Sequence, residues 1–323
     1  MSSRNLLDYL VITAKGLAMG AADVVPGVSG GTIAFISGIY EELIETIHKL
    51  DLGFLSTWKK EGFFKAWRNY NLGFLLALFS GIAISILSLA KLITWLLSNH
   101  PILVWSFFFG LVLASILYVG QQIFKWNLRT IGALLIATGL SYAITLARPI
   151  GDTSSTWFLF FAGFIAIIAM ILPGISGAFI LLLLGAYKSI IGTITQLGEG
   201  ISNLDWAVFS AASLKIGVFG LGAIFGLKIF SRVLNWLFKH HKDLILAILT
   251  GFMIGALNKI WPWKEVLEYR INHAGEEVPF LEKSILPTNY SGDPLIWYAL
   301  LFMIIGFLVI FLLERIATRK NPA

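Results

Sequence analysis

Long apolar runs separated by short polar segments dominate the pattern of the chain. A helix needs about 20 mostly apolar residues to cross the hydrocarbon core of a bilayer. Five or six membrane-spanning helices are therefore predicted, in the runs 72–97, 102–119, 130–147, 206–238, 243–260 and 295–313. Because the run 206–238 contains Lys215, Lys228 and Arg232, its helix is expected to be broken or tilted, with its ends outside the hydrocarbon.

Two further apolar segments, 16–47 and 157–194, are each interrupted near the middle by proline and glycine. We call residues 26–32 the first tip and residues 173–177 the second tip. Proline removes a helical hydrogen bond and glycine lets the backbone turn. Non-helical backbone within a bilayer must be packed in protein or line a wet cavity. Each segment is therefore predicted to be a re-entrant hairpin, two short helices that meet at a tip.

The two interrupted segments also resemble each other. At an offset of 147 residues, ten of the 22 aligned positions from 26–47 to 173–194 are identical. Further on, an offset of 141 pairs His100 with His241. Apolar low complexity explains some matches, but not the shared proline, serine, tyrosine and histidine positions. An internal duplication is predicted.

The basic residues predict orientation, because cytoplasmic loops are enriched in Lys and Arg. The stretch 48–70 carries Lys49, Lys59, Lys60, Lys65 and Arg68, and is expected to be cytoplasmic together with both termini. Three crossings separate the two hairpins, so the repeats are expected to be inverted, as in many secondary transporters. The alternative, two full crossings in place of the hairpins, would put Arg4 on the side opposite this basic stretch.

The prediction is thus an all-α polytopic membrane protein with a single domain, 1–323. Its parts are a first repeat (5–120), a linking transmembrane segment (121–156), a second repeat (157–260), an extracytoplasmic loop (261–293) and a C-terminal helix with a basic tail (294–323).

Composition strengthens the membrane assignment. Hydrophobic residues make up 57% of the chain and charged residues 13%, whereas a soluble domain is about 25% charged. The mean hydropathy of +0.82 excludes an ordinary soluble all-α protein. The absence of cysteine excludes disulfides and thiolate metal sites. The histidines fall at predicted helix ends or in loops, so we expect no enzyme, no metal, no cofactor and no nucleic-acid partner.

The two tips are the predicted binding site. Backbone N–H groups released from helical pairing, together with helix amino termini, attract anions, and three hydroxyls add hydrogen-bond donors. A phosphate or carboxylate is the expected ligand, and the alternative is that glycine and serine merely permit close helix packing. The predicted binding residues are Pro26, Gly27, Val28, Ser29, Gly30, Gly31, Thr32, Pro173, Gly174, Ile175, Ser176 and Gly177.

Three charged residues carry separate hypotheses. Asp23 lies in an apolar stretch, where a carboxylate is costly unless it is paired or protonated. It could exchange a proton or sodium ion during transport, or cap a half-helix. Lys91 and Arg232 occupy equivalent positions in the two halves. Snorkelling to the interface explains them, and gating or phosphate contact is the alternative.

The tip sequences resemble a known family. Residues 20–35 (GAADVVPGVSGGTIAF) and 38–41 (GIYE) are similar to the hallmark of the prokaryotic polyprenyl-phosphate translocases, which are distinct from the DedA-type translocases. A second hallmark is present as 172–177 (LPGISG) and 185–187 (GAY). The resemblance covers roughly residues 5–315.

The resemblance implies a function in cell-envelope biogenesis. The protein would sit in the cytoplasmic membrane and return polyprenyl phosphate, such as undecaprenyl phosphate, from the outer to the cytoplasmic leaflet by alternating access. The tips would hold the phosphate while the prenyl chain stays in lipid. The alternative transporter is an ion-coupled carrier or channel for a small soluble anion. A lipid phosphatase is disfavoured, because no nucleophile with an acid–base partner is evident.

Overall fold

A computed structural model of the chain describes residues 4–24, 28–51, 53–147, 155–271 and 277–320. The described helices are α1 (Leu6–Val24), α2 (Gly30–Ile36), α3 (Tyr40–Lys49), α4 (Gly53–Glu61), α5 (Phe63–Asn69), α6 (Leu72–Asn99), α7 (Pro101–Gln121), α8 (Leu128–Leu146), α9 (Thr156–Ile171), α10 (Gly177–Leu183), α11 (Ala186–Ser202), α12 (Trp206–His240), α13 (Lys242–Ala256) and α14 (Ile296–Lys320). A hairpin of two strands, β1 (Lys264–Ile271) and β2 (Glu277–Ser284), precedes a short 3-10 helix, Pro287–Asn289.

The helical polytopic architecture is confirmed. Among the described residues, the four helices α6, α7, α8 and α12 are long and apolar enough to cross a bilayer. Shorter apolar stretches lie in α9 and α14. The β-hairpin adds to the predicted all-helical fold. It lies in the predicted loop 261–293, where charged residues are mixed with apolar ones.

Helix α12 is continuous over 35 residues, so of the two alternatives predicted there the broken helix is wrong and the tilted helix remains. At 1.5 Å per residue its length is about 52 Å, which exceeds the hydrocarbon core of about 30 Å. Lys228 within it is held by tertiary contacts, because its ammonium donates to the backbone carbonyls of Ile47, His48 and Leu50. These carbonyls lie at and just beyond the carboxyl end of α3, where a cation is favoured by the helix dipole.

Each interrupted segment has one helix before its tip and another that begins within the tip. In the first segment α1 ends at Val24 and α2 begins at Gly30. In the second, α9 ends at Ile171 and α10 begins at Gly177. The part of each segment after the tip is itself two helices, α2 with α3 and α10 with α11, rather than the one helix predicted.

A glycine with positive φ joins the two helices that follow each tip. Gly38 has φ of 73° and Gly185 has φ of 71°, and these positions are equivalent at the offset of 147. A left-handed residue ends a helix readily when it is glycine, because no Cβ clashes with the carbonyl. The sequence therefore encodes the same turn twice.

Close glycine contacts pair the long helices. In the first half, Gly16 and Gly20 of α1 lie against the carbonyls of Leu78 and Ile82 of α6. Both residue numbers increase together, so α1 and α6 run in the same direction. The chain must therefore return between them, through α2 and α3.

The second half repeats this arrangement. Gly222 and Gly226 of α12 lie against the carbonyls of Phe160 and Phe164 of α9, so α9 and α12 also run in the same direction. Small residues let helix backbones approach closely in membranes, where van der Waals packing replaces the hydrophobic effect between helices.

The β-hairpin is anchored over the ends of α7, α13 and α14. Trp261 donates its indole N–H to the carbonyl of Ile285 at 2.8 Å, and Trp263 donates to the carbonyl of Pro294 at 2.8 Å. Trp263 is buried together with Ile102 of α7 and Ala299 of α14. The two tryptophans therefore fix the hairpin relative to the helices.

Candidate functional site

The two tips contact each other directly. The hydroxyl of Ser29 donates to the carbonyls of Met170 at 3.2 Å and Leu172 at 3.3 Å. In return, the backbone N–H of Gly174 donates to the side-chain oxygen of Thr32 at 3.0 Å. Residues more than 140 positions apart thus meet through the Ser29 hydroxyl proton, which two carbonyls share, and through the Gly174–Thr32 hydrogen bond, so the tips form one polar centre between the two halves.

Local capping shapes the first tip. Ser29 is the N-cap of α2 and accepts a hydrogen bond from the N–H of Gly31 at 3.1 Å. Asp23, near the end of α1, accepts from the N–H of Gly30 at 2.7 Å. Its carboxylate thus ties α1 to α2 across the interruption, which is the geometry of the capping alternative. A Cβ at Gly30 would collide with this carboxylate.

The second tip is built around Gly174. Its φ of +88° is accessible mainly to glycine, and a Cβ there would also meet the carbonyl of Phe252 in α13. That carbonyl accepts a hydrogen bond from Ser141 of α8 at 2.8 Å. Ser176 is the N-cap of α10, with a long 3.5 Å contact from the N–H of Phe179.

A small polar cavity adjoins the second tip. We call it the tip cavity; it holds about 10 Å³, roughly the room for one water molecule. It is lined by Ser141, Ile144, Thr145, Gly174, Ile175, Ser176, Phe179 and Lys259. The cavity therefore places a lysine beside the predicted Gly174 and Ser176.

Lys259 is largely enclosed by its neighbours. Its side chain is 15% exposed, and its ammonium lies 4.7 Å from the ring centroid of Phe179. The nearest carboxylate oxygen is Oε2 of Glu282 on β2, at 3.6 Å. This distance allows an ion pair but exceeds that of a good hydrogen bond.

The same Oε2 of Glu282 also forms an ion pair with the ammonium of Lys264 on β1, at 3.4 Å. Lys264 is 7% exposed, with its ammonium 3.4 Å from the ring centroid of Trp105. Burial lowers the pKa of Lys264 to about 8, and the charge of Glu282 opposes this shift. Two lysines share one carboxylate, so the surroundings of the second tip favour an anion.

Sequence reasoning missed this cluster, which we call the lysine cluster (Lys259, Lys264 and Glu282). One signal was available. The two lysines bracket an Ile-Trp-Pro-Trp stretch at the start of a loop predicted to lie outside, where Lys and Arg are depleted. Basic residues in such a loop therefore indicate a specific functional or structural role.

Some predicted residues are not assembled at this centre. Pro26 and Gly27 lie outside the described residues, as does the side chain of Lys91. Arg232 is exposed on α12, and it forms no hydrogen bond or ion pair with a tip within the described part of the chain. Val28 and Ile175 are buried apolar residues, so only their backbone groups could contact a ligand.

Comparison with known proteins identifies the family. The sequence model of the family described as undecaprenyl phosphate translocase-like matches residues 19–278, which include both tips and the lysine cluster up to β1. The chain belongs to this family. The resemblance seen in the tip sequences is thereby confirmed.

Full-length relatives agree with the family. A polyprenyl-phosphate transporter of Vibrio cholerae is 43% identical over 317 residues, covering 97% of this chain and 98% of its own. A polyprenyl-phosphate transporter of Staphylococcus aureus is 30% identical over 320 residues, covering 95% and 96%. No solved structure gives a significant match. The family and its relatives are transporters, so the prediction that the chain is not an enzyme is confirmed.

Proposed function

We propose that this protein moves polyprenyl phosphate, such as undecaprenyl phosphate, from the outer to the cytoplasmic leaflet of the cytoplasmic membrane. The observation that carries the proposal is the contact between the two tips beside the ammonium of Lys259. Hydroxyls, backbone N–H groups and a cation converge there, as a phosphate requires. The names of the two relatives supply the lipid class.

The proposed architecture is two inverted repeats, each with a re-entrant hairpin. Its support is that α1 pairs with α6 as α9 pairs with α12, each pair running in one direction. A further support is the pair α8 and α13, in which Gly251 and Gly255 lie against the carbonyls of Leu134 and Thr138. In this proposal both termini and the stretch 48–70 are cytoplasmic, and the β-hairpin is outside.

The proposed binding residues are those of the two tips. In the described conformation the hydroxyl oxygens of Ser29 and Thr32 are engaged by the opposite segment. A phosphate that takes these groups must therefore separate the tips. Each hydrogen bond contributes a net stability of about 1 kcal/mol, so the loss of the contacts made by the Ser29 hydroxyl and the Gly174 N–H is small enough for a charged ligand to offset.

Alternating access follows from this exchange. Contacts between the tips close the centre, and contacts between each tip and phosphate open it toward one leaflet at a time. A ligand moves such an equilibrium only through its different affinity for the two states. The phosphate supplies that difference, because in the closed state the Ser29 hydroxyl donates to carbonyls of the opposite segment and the Thr32 hydroxyl accepts from the N–H of Gly174.

Ion coupling is a further part of the proposal. Asp23 would exchange a proton or sodium ion, and it would then release the N–H of Gly30 that it holds at 2.7 Å. That N–H would become available to phosphate. Lys91 and Arg232 are proposed as gating or phosphate contacts in other conformations.

The test is transport of a fluorescent polyprenyl phosphate in proteoliposomes. Wild-type protein should accelerate movement of the lipid between leaflets, and the double variant Ser29→Ala/Ser176→Ala should lose that activity. Ser88→Ala is the matched control, because Ser88 is exposed on α6 and bonds only its own helix through Ile84. If wild-type protein moved a soluble anion but no lipid under any imposed gradient, the lipid proposal would be abandoned for the small-anion carrier.

A further inference from the structure

A second, larger cavity lies next to the tip cavity. We call it the groove; its volume is about 420 Å³, within the range of about 300–1,000 Å³ typical of small-molecule pockets. Its walls are mainly apolar, from Phe109 of α7, Leu257 after α13, and Trp261, Ile285 and Leu286 around the β-hairpin. The proposed function assigns it no role.

The walls of the groove are fixed by their own contacts. The rings of Phe109 and Trp261 meet edge to face with centroids 5.3 Å apart. The indole N–H of Trp261 donates to the carbonyl of Ile285, so its polar atom is satisfied. The groove therefore offers an apolar surface that exists before any ligand binds, which reduces the entropic cost of binding.

One side-chain pair separates the groove from the tip cavity. Asn258 lines the groove and Thr145 lines the tip cavity. The amide of Asn258 donates to the hydroxyl of Thr145 at 2.8 Å. Lys259, the next residue, faces the tip cavity. A small cavity with a cation and three hydroxyl residues is thus the direct neighbour of a mainly apolar groove.

The charges at this boundary are incompletely paired. Glu282 is the carboxylate shared by Lys259 and Lys264, and Lys264 is the closer of the two by 0.2 Å (3.4 Å against 3.6 Å). Lys264 can keep Glu282 as its partner when Lys259 turns to another anion. A phosphate would therefore bind Lys259 without leaving the partly buried carboxylate of Glu282 unpaired, which would be costly.

We propose that the tip cavity, widened when the tips separate, and the groove form one amphiphile site, in which Lys259 binds a phosphate monoester and the groove holds the adjoining branched hydrocarbon. This rests on the proposed function and deepens it, because it places the first contact with the lipid at the β-hairpin. Only the units nearest the phosphate would fit, and the rest of a long chain would remain in the bilayer. Glu282 is a positioning residue that holds the ammonium of Lys259 before the ligand arrives.

Binding to the purified full-length protein tests the site with three probes: farnesyl phosphate, farnesol and inorganic phosphate. Lys259→Met should weaken the binding of farnesyl phosphate by about tenfold or more, which is the effect of losing one charge-assisted contact. The same variant should bind farnesol as tightly as wild type. Leu286→Asp should weaken the binding of farnesyl phosphate and of farnesol but not the binding of inorganic phosphate. The matched control is Lys283→Met, because Lys283 is exposed on β2 beside Glu282.

Equal binding of farnesyl phosphate by wild type and Lys259→Met would overturn the inference, as would equal losses in Lys259→Met and Lys283→Met. Binding of inorganic phosphate that is insensitive to Lys259 would also count against it. Transport separates this inference from the proposed function. Normal transport of long-chain lipid by Lys259→Met would contradict the amphiphile site and leave the proposed function standing. Wild-type protein that binds farnesyl phosphate but transports no lipid would contradict the proposed function and leave the site standing.

Discussion

The side-chain oxygen of Thr32 in α2 accepts a 3.0 Å hydrogen bond from the backbone N–H of Gly174 in the second tip. Both residues belong to the sequence motifs that mark the family, and their contact joins the two halves of the chain. In our proposal the motif residues therefore have two roles. They hold the tips together in the described conformation, and in our proposal they exchange that contact for phosphate.

The Thr32–Gly174 contact predicts the effect of an isosteric change. Thr32→Val keeps the shape of the side chain but leaves the N–H of Gly174 without its acceptor. An unsatisfied buried donor costs about 1–3 kcal/mol, so we expect a lower melting temperature in detergent and slower lipid transport. Thr32→Ser should restore most of both. Thr195→Val is the control, because Thr195 is exposed and bonds its own helix; equal melting temperatures for Thr32→Val and wild type would contradict the prediction.

Gly174 itself should not tolerate a side chain. Its φ of +88° and the nearby carbonyl of Phe252 both oppose a Cβ. Strained backbone of this kind costs on the order of 1–3 kcal/mol, so Gly174→Ala should destabilise the protein. Gly192→Ala is the comparison, since Gly192 lies in α11 with open space where its Cβ would be. Thermal unfolding of the two variants measures the difference, and equal losses would exclude a special role of the second tip.

The depressed pKa of Lys264 predicts a dependence of stability on pH. The free side chain has a pKa of 10.5, and burial lowers it to about 8. Below pH 8 the folded protein carries the full cost of a buried charge. Between pH 8 and 10.5 the unfolded chain binds more protons than the folded one, so stability rises with pH by an amount on the order of 3 kcal/mol.

Lys264→Met removes this titration. The melting temperature of wild type relative to Lys264→Met should therefore increase as pH rises from 8 to 10.5. Lys283→Met, on the exposed part of the same hairpin, should show no such trend relative to wild type. A constant difference between wild type and Lys264→Met across this range would show that Lys264 is not buried as a charge.

The natural absence of cysteine allows a direct test of orientation. Leu286→Cys places a thiol at the groove, and Leu55→Cys places one on α4 in the stretch proposed to be cytoplasmic; both positions are exposed. A membrane-impermeant maleimide applied to intact cells should label position 286 and spare position 55. Labelling of position 55 alone would indicate the opposite orientation, and labelling of both positions or of neither would contradict the proposed topology.

The role of Asp23 can be separated from its hydrogen bond. Asp23→Asn keeps an oxygen that accepts from the N–H of Gly30 but cannot ionise. We expect a melting temperature near that of wild type and transport that no longer responds to an imposed proton or sodium gradient. Asp23→Ala, which removes the acceptor, should be less stable by about 1 kcal/mol. If transport by Asp23→Asn responded to the gradient as wild type does, Asp23 would not be the coupling residue and its role would be to cap the helix.

The sequence by itself determined the two interruptions at the tips and that the pattern occurs twice, because proline and glycine act through backbone conformations that depend on adjacent residues. The turns at Gly38 and Gly185 were not predicted, although each is likewise a local feature. Apolar run length likewise determined most of the spans, because burial in lipid is a property of each segment. These are local constraints, and they can be read from contiguous residues.

Only the tertiary structure decided which groups the tips present and what lies beside them. The hydroxyls of Ser29 and Thr32 were predicted as ligand donors, yet they are engaged by the opposite segment, 140 or more positions away. Lys259 reaches the second tip because α13 packs against Gly174. Glu282 reaches Lys259 because β2 ends beside the segment that follows α13, where Ser284 donates to the carbonyl of Asn258. Such contacts depend on how helices pack in three dimensions, and no short stretch of sequence contains that information.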